Sequence, residues 1–130
     1  MTSKTIISTE NAPSAIGPYC QATQFGELIF TSGQIPLEPK SMGIVEGGIT
    51  EQTEQVMKNL FAVLKEAGAT GETVIKTTCF IKDMNDFVAF NEVYAKYFAT
   101  SAPSRSCVEV ARLPKNVLVE VEAIAYTASK

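Results

Sequence analysis

A chain of 130 residues with no histidine and a formal charge of −3 loses several functions before any motif is read. Its 11 basic and 14 acidic residues are scattered, which leaves no basic stripe for nucleic acid. The missing histidine removes Ser-His-Asp and Cys-His triads and the common zinc sites, so any acid or base must be Glu, Asp, Lys, Tyr or Cys.

The length fits one domain, residues 1–130, with a core that needs no disulfide. No apolar run approaches the ~20 residues of a membrane span. The opening MTSKTIISTE lacks an apolar signal core, so the expected location is cytoplasmic.

Lys4 to Ser8 alternates like an edge strand, and Asn11 to Pro18 reads as a loop ending at Tyr19. Tyr19 to Phe25 and Leu28 to Ser32 form a hairpin across Gly26 and Glu27, stopped by Gly33. Pro36 to Gly48 is a surface loop with one short extended piece at Ile44 and Val45. Thr50 is the expected N-cap of a helix running to Ala67, with Glu51 and Glu54 in its first turn and Gly68 at its end. Its apolar stripe is Val56, Leu60, Val63, Leu64 and Ala67, joined by Met57 and Phe61.

Val74 to Lys82 follows as a strand, with Ile75, Thr77, Cys79 and Ile81 expected on one face. Asp83 or Asn85 caps a second helix reaching about Phe98, with Phe87, Phe90, Tyr94 and Tyr97 turned inward. Two more alternating runs close the chain, Arg105 to Ala111 and Val117 to Tyr126.

These last runs read as an antiparallel hairpin through Arg112, Leu113, Pro114 and Lys115. That register sets Cys107 opposite Glu120 and Arg105 opposite Glu122, and gathers Arg105, Glu120 and Glu122 on the face away from the core. A two-residue slide would oppose Glu109 to Glu120, which like charges disfavour. Spacing alone reads Arg105 with its glutamates as a structural ion pair more readily than as a site.

Cys20, Cys79 and Cys107 are far apart and each falls within an expected strand, as half-buried free thiols do. Cys107 beside Arg105 could be a nucleophile, but no histidine is available as its base, and packing or a backbone role is preferred. The order hairpin, helix, strand, helix, hairpin predicts an α+β domain, two helices on one face of a mixed sheet. The other face would carry Leu118, Ile124 and Tyr126 beside charges, an apolar surface that further subunits are expected to cover.

The strings AIGPY (Ala15 to Tyr19), TSGQIP (Thr31 to Pro36), KTTCFIKDMNDFVAFNEVYAKYF and PSRSCVEVARLP running on to VEVEAIA resemble the RidA branch of the Rid (YjgF) family, the reactive-intermediate imine deaminases. The resemblance covers nearly the whole chain. Ser104, where alanine is commoner, and Cys20 are slight departures that touch no proposed chemistry.

The resemblance implies a chorismate-mutase-like fold, a homotrimer with sites between subunits, and hydrolysis of 2-imino acids from pyridoxal-phosphate enzymes to 2-oxo acids and ammonia. It implies Arg105 as the carboxylate clamp and Glu120 as the residue that positions water. Tyr19, Gly33 and Asn91 would line the pocket and Cys107 would offer backbone groups, with Glu122 and Glu109 in support. From the residues themselves, Asn91 fits packing as well as a pocket, and Tyr19 fits a loop anchor. A protonated imine is already electrophilic, so the chemistry needs no metal or organic cofactor, only a fixed carboxylate and an aimed water. The partner is then a small 2-imino or 2-oxo acid, with no nucleic acid and no membrane. The competing function is a binding module that senses a small carboxylate without turnover.

Overall fold

The computed structural model describes residues 3–128. Strands β1 (Thr5–Ile7), β2 (Ala22–Phe25) and β3 (Leu28–Thr31) precede helix α1 (Ile49–Glu66), and β4 (Val74–Ile81) leads to helix α2 (Phe87–Tyr97). Strands β5 (Ser104–Glu109) and β6 (Val119–Tyr126) complete one six-stranded mixed sheet of order β1-β2-β3-β6-β4-β5. Both helices pack on one face, the expected α+β arrangement. Val56, Leu60, Val63 and Leu64 of α1 are completely buried against Ile29, Val119, Val121 and Ala125 of the sheet, so the 3.6-residue stripe meets the two-residue alternation in one core.

Helix α1 is capped by Gly48, not Thr50. Its N–H donates to Glu51 Oε1 at 2.9 Å, a contact that puts the carboxylate at the positive end of the helix. Glu54 leaves the dipole role to Glu51 and instead joins the helices, accepting from Lys96 Nζ and, at 2.9 Å, from Tyr97 OH. Gly68, at φ 88°, ends the helix as expected. The expected strand at Ile44 and Val45 is one bridge, Leu37 to Ile44. Cys20 precedes β2, outside any strand.

In β4, Thr77, Cys79 and Ile81 are fully buried on the helix face. Ile75 is not with them. A register slip between Val74 and Lys76 turns it out to 43% exposure, because a bulge interrupts strict alternation.

The closing hairpin does not form. β5 pairs in parallel with β4, Thr77 beside Arg105 and Cys79 beside Cys107. β6 pairs antiparallel with the other edge of β4, Phe80 opposite Glu120 and Thr78 opposite Glu122. β4 therefore lies between the two strands expected to be neighbours. Residues 110–118 are a crossing loop whose short turn at Pro114–Asn116 holds Lys115 and Asn116 at positive φ, 57° and 58°. Alternation fixes which residues share a face but not which strand is the neighbour. Here α2 links β4 to β5 as a crossover, and such a connection joins parallel strands.

The face away from the helices carries Ile6, Phe25, Phe30, Val108 and Tyr126, all exposed. The apolar second face expected from the sequence is present, and among the described residues no helix lies on it.

Candidate functional site

Arg105 follows Ser104 into β5 and takes the helix-facing position set by its parallel partner Thr77. This reverses its expected side of the sheet. Its Nη1 donates to Asn91 Oδ1 on α2 at 2.7 Å. Its guanidinium carbon lies 4.8 Å from the ring centre of Tyr94, 5.5 Å from Phe87 and 5.9 Å from Phe90, distances at which an aromatic face attracts a cation. Tyr94 is fixed in turn by a 2.7 Å hydrogen bond between its hydroxyl and Thr77 Oγ1. Burial, which the Thr77 bond only partly offsets, raises the phenol's pKa, and Tyr94 stays a neutral platform.

No carboxylate lies within ion-pair distance of Arg105 among the described residues, where the ion pair formed is Lys96 with Glu54. The expected pairing with Glu122 is absent because Glu122 projects from the opposite face. Arg105 thus keeps its charge uncancelled, with a neutral amide on one arm.

Glu120 is half-buried on the other face of the sheet, in a cleft of about 530 Å³. Pro13, Ser14, Ile16 and Tyr19 line one part of it; Ser32, Gly33, Gln34, Ile35, Leu37 and Met42 another; Pro114 and Lys115 the rim. Gln34 extends the sheet by a bridge to Val121, with N–H···O distances of 2.8 and 3.2 Å. This draws Gly33 over the Glu120 carboxylate, so closely that a Cβ there would come within 1.9 Å of Oε2. Only a residue without a side chain leaves the carboxylate in place. Burial first, and the charge of Glu122 second, raise the Glu120 pKa above the ordinary carboxylate value.

Tyr19 is 54% exposed and lines the same cleft, where its N–H donates to Gly17 O at 2.9 Å. Cys107 sits beside Cys79 on the helix side. Burial raises its thiol pKa against the opposing pull of Arg105, and pushes that of Cys79 up to about 12. Neither is an activated nucleophile. Glu109 serves locally, accepting from Met84 N–H at 2.8 Å.

Within one chain the residues thus fall into two groups. Arg105, Asn91 and Cys107 lie on the helix side near the β5 edge, while Tyr19, Gly33 and Glu120 share the cleft on the other face. The sheet stands between them. The aromatic bed of Arg105 was legible only as an inward helix stripe. Gln21, Ser32, Gln34 and Lys115 at the cleft carried no periodic signal, although Ser32 and Gln34 fall within TSGQIP. Among the described residues no group of His, Cys, Asp and Glu is arranged to hold a metal ion, and no helix is long and apolar enough to cross a membrane.

The model of the family described as Endoribonuclease L-PSP matches residues 9–127. A RutC family protein of Pyrococcus horikoshii is 56% identical over 123 residues, 95% of this chain and 98% of the relative. A protein of Salmonella typhimurium named 2-iminobutanoate/2-iminopropanoate deaminase is 49% identical over 126 residues, 95% of this chain and 97% of the relative. Among solved structures, that of E. coli TdcF with bound serine superposes with a TM-score of 0.91 at 45% identity, covering 95% of this chain and 99% of the other.

Proposed function

We propose, for a chain that belongs to the Endoribonuclease L-PSP (YjgF/Rid) family, that it hydrolyses 2-imino acids to 2-oxo acids and ammonia at sites shared by two copies of itself. The observation that carries this reading is the separation of a carboxylate-free arginine from a glutamate of raised pKa by the thickness of one sheet. One chain cannot bring them onto a single small substrate. The open apolar sheet face supports a surface through which copies join, and in a homotrimer one such site forms at each contact.

In such a site Arg105 of one copy clamps the substrate carboxylate with the donors that Asn91 leaves free. Glu120 of the next copy holds a water against the imine carbon. As the water oxygen bonds to that carbon, the C=N π pair moves to nitrogen, and Glu120 takes the water's proton. The carbinolamine nitrogen then takes up that proton from Glu120, the hydroxyl oxygen's lone pair forms the C=O bond as the C–N bond breaks to release ammonia, and the hydroxyl proton passes to the Glu120 carboxylate, leaving the 2-oxo acid. Raised basicity suits Glu120 to both steps. Tyr19 walls the cleft, and the backbone around Cys107 lies beside the clamp.

The serine found in E. coli TdcF favours a second reading, a carboxylate-binding module without turnover. The experiment generates 2-iminobutanoate in situ with threonine dehydratase and follows its lifetime with native protein, Arg105→Ala, Glu120→Gln, and a co-refolded mixture of the two variants. Acceleration by native protein, loss in each variant, and recovery to about a quarter of native activity in the 1:1 mixture are expected if each site takes one residue from each of two randomly assorted copies. Binding of 2-oxobutanoate without any acceleration would favour the sensing module.

A further inference from the structure

The walls of the Glu120 cleft are irregular backbone, and two buried amide side chains hold them, Asn59 from the core and Gln21 at the cleft itself. Gln21 is 4% exposed. Its Nε2 donates to Pro13 O at 2.8 Å, Thr9 O at 3.0 Å and Ala12 O at 3.3 Å, while its Oε1 accepts from Thr9 N–H at 2.6 Å. Those bonds fix the start of the segment that carries Pro13, Ser14, Ile16 and Tyr19 into the cleft.

Asn59 of α1 is completely buried. Its Nδ2 donates to both Ile35 O and Leu37 O at 3.0 Å, and its Oδ1 accepts from Gln55 Nε2 at 2.9 Å. It holds the facing wall at Ile35 and Leu37.

A core that wanted only stability would fill these places with apolar side chains, since a buried amide contributes only when every group it offers is satisfied. Here each amide holds carbonyls of irregular backbone, and each belongs to a different wall. The cleft cannot relax on either side without breaking one of these sets of bonds.

We propose that Gln21 and Asn59 are positioning residues for Glu120, paired clamps that set the width and dryness of its cleft and thereby the size of substrate side chain it admits. The part concerning substrate size rests on the imine hydrolysis reading; the part concerning Glu120 does not. The charged neighbours of Glu120 are Glu122, two residues along β6, and Lys115 at the rim. Neither is altered by substitution of the clamps; Gln21 also lines the cleft and Asn59 does not, so Asn59→Leu is the variant in which a change of Glu120 titration reports hydration of the cleft alone.

The test compares Gln21→Met and Asn59→Leu with Thr73→Val. The last removes a buried hydroxyl that bonds Thr70 N–H and O at 3.0 and 3.1 Å, away from the cleft. Glu120 is titrated by carboxyl carbon NMR in the unliganded protein, and thermal stability is recorded for each variant. The same proteins are assayed with imines generated from alanine and from leucine by an amino-acid oxidase.

In both clamp variants the Glu120 midpoint should fall toward the ordinary carboxylate range. The preference between the two imines should change by about tenfold, as expected when a pocket no longer senses added methylenes. Thr73→Val should lose stability and change neither. Unchanged Glu120 titration in both clamp variants, with the stability loss alone, would overturn the proposal. Should the apolar variants fail to fold, Gln21→Asn and Asn59→Gln keep an amide with altered reach and are read in the same way. Absence of imine turnover in the native protein would remove the proposed function, while the titration would still decide the clamps.

Discussion

Arg105 and Asn91 are joined by a 2.7 Å hydrogen bond from guanidinium Nη1 to amide Oδ1, and no carboxylate shares the arginine among the described residues. A neutral acceptor orients the fork without cancelling its charge. Aspartate is nearly the same size but would cancel it. Asn91→Asp should therefore weaken 2-oxobutanoate binding by about 10- to 100-fold, the scale of a hydrogen bond to a charged group, and weaken it more than Asn91→Ala does. Calorimetric titration of the three proteins checks the order; equal losses would show that the charge of the acceptor is immaterial.

Removal of the arginine itself should be more severe. Arg105→Ala is expected to cost on the order of 2 to 5 kcal/mol in kcat/KM, as truncation of one partner of an interfacial charge pair does. Arg105→Lys should recover little of it, because an ammonium cannot offer two parallel donors. Single-turnover hydrolysis of 2-iminobutanoate measures both.

Gly33 must give way to Glu120. A methyl group there would meet the carboxylate at 1.9 Å and its Cδ at 2.7 Å, and the three nearest atoms all belong to the Glu120 side chain, which can swing aside. Gly33→Ala should fold with thermal stability close to native, yet lose about 100-fold in kcat through displacement of Glu120 from the place proposed for the general base. A crystal structure of the variant should find the Glu120 side chain rotated away from position 33.

The raised pKa of Glu120 has two causes, burial and then Glu122, and they can be separated. Glu122→Gln removes the second, so the Glu120 pKa falls but stays above the ordinary value, and the acidic limb of the kcat profile should move to lower pH. Stability has the opposite dependence to that of a salt-bridged carboxylate. A carboxyl whose folded pKa is raised favours the native state below its unfolded pKa, and this contribution is lost as pH rises through the folded value. Glu120→Gln should therefore be inactive but more heat-stable than native at neutral pH. That advantage should vanish once the pH drops below the ordinary carboxylate range.

Cys79 and Cys107 should resist alkylation. With Cys79 pushed up to about 12 and Cys107 raised by burial, little thiolate exists near neutrality. Iodoacetamide at pH 7.5 should modify each more slowly than it modifies free cysteine, as peptide mass spectrometry would record. Rapid labelling of Cys107 would revive its reading as a nucleophile.

The amino-acid sequence by itself determined the alternating faces of β6, the apolar stripe of α1, the inward aromatics of α2 and the break at Gly68, because each depends on residues a few positions apart along one element. It also excluded histidine chemistry outright. Which strands are neighbours was decided only in three dimensions. The valines of the last two strands share one core only if those strands pair with each other; β4 takes the middle instead, because α2 returns the chain parallel to it, and Val108 then lies on the open face while Val119 and Val121 stay buried. That one difference moved Arg105 to the helix side, gave it Asn91 and Tyr94 in place of Glu122, and left Glu120 across the sheet. Local periodicity assigns a residue to a face of its own strand; only the packing of distant segments decides which face of the sheet that becomes, and which side chains wait there.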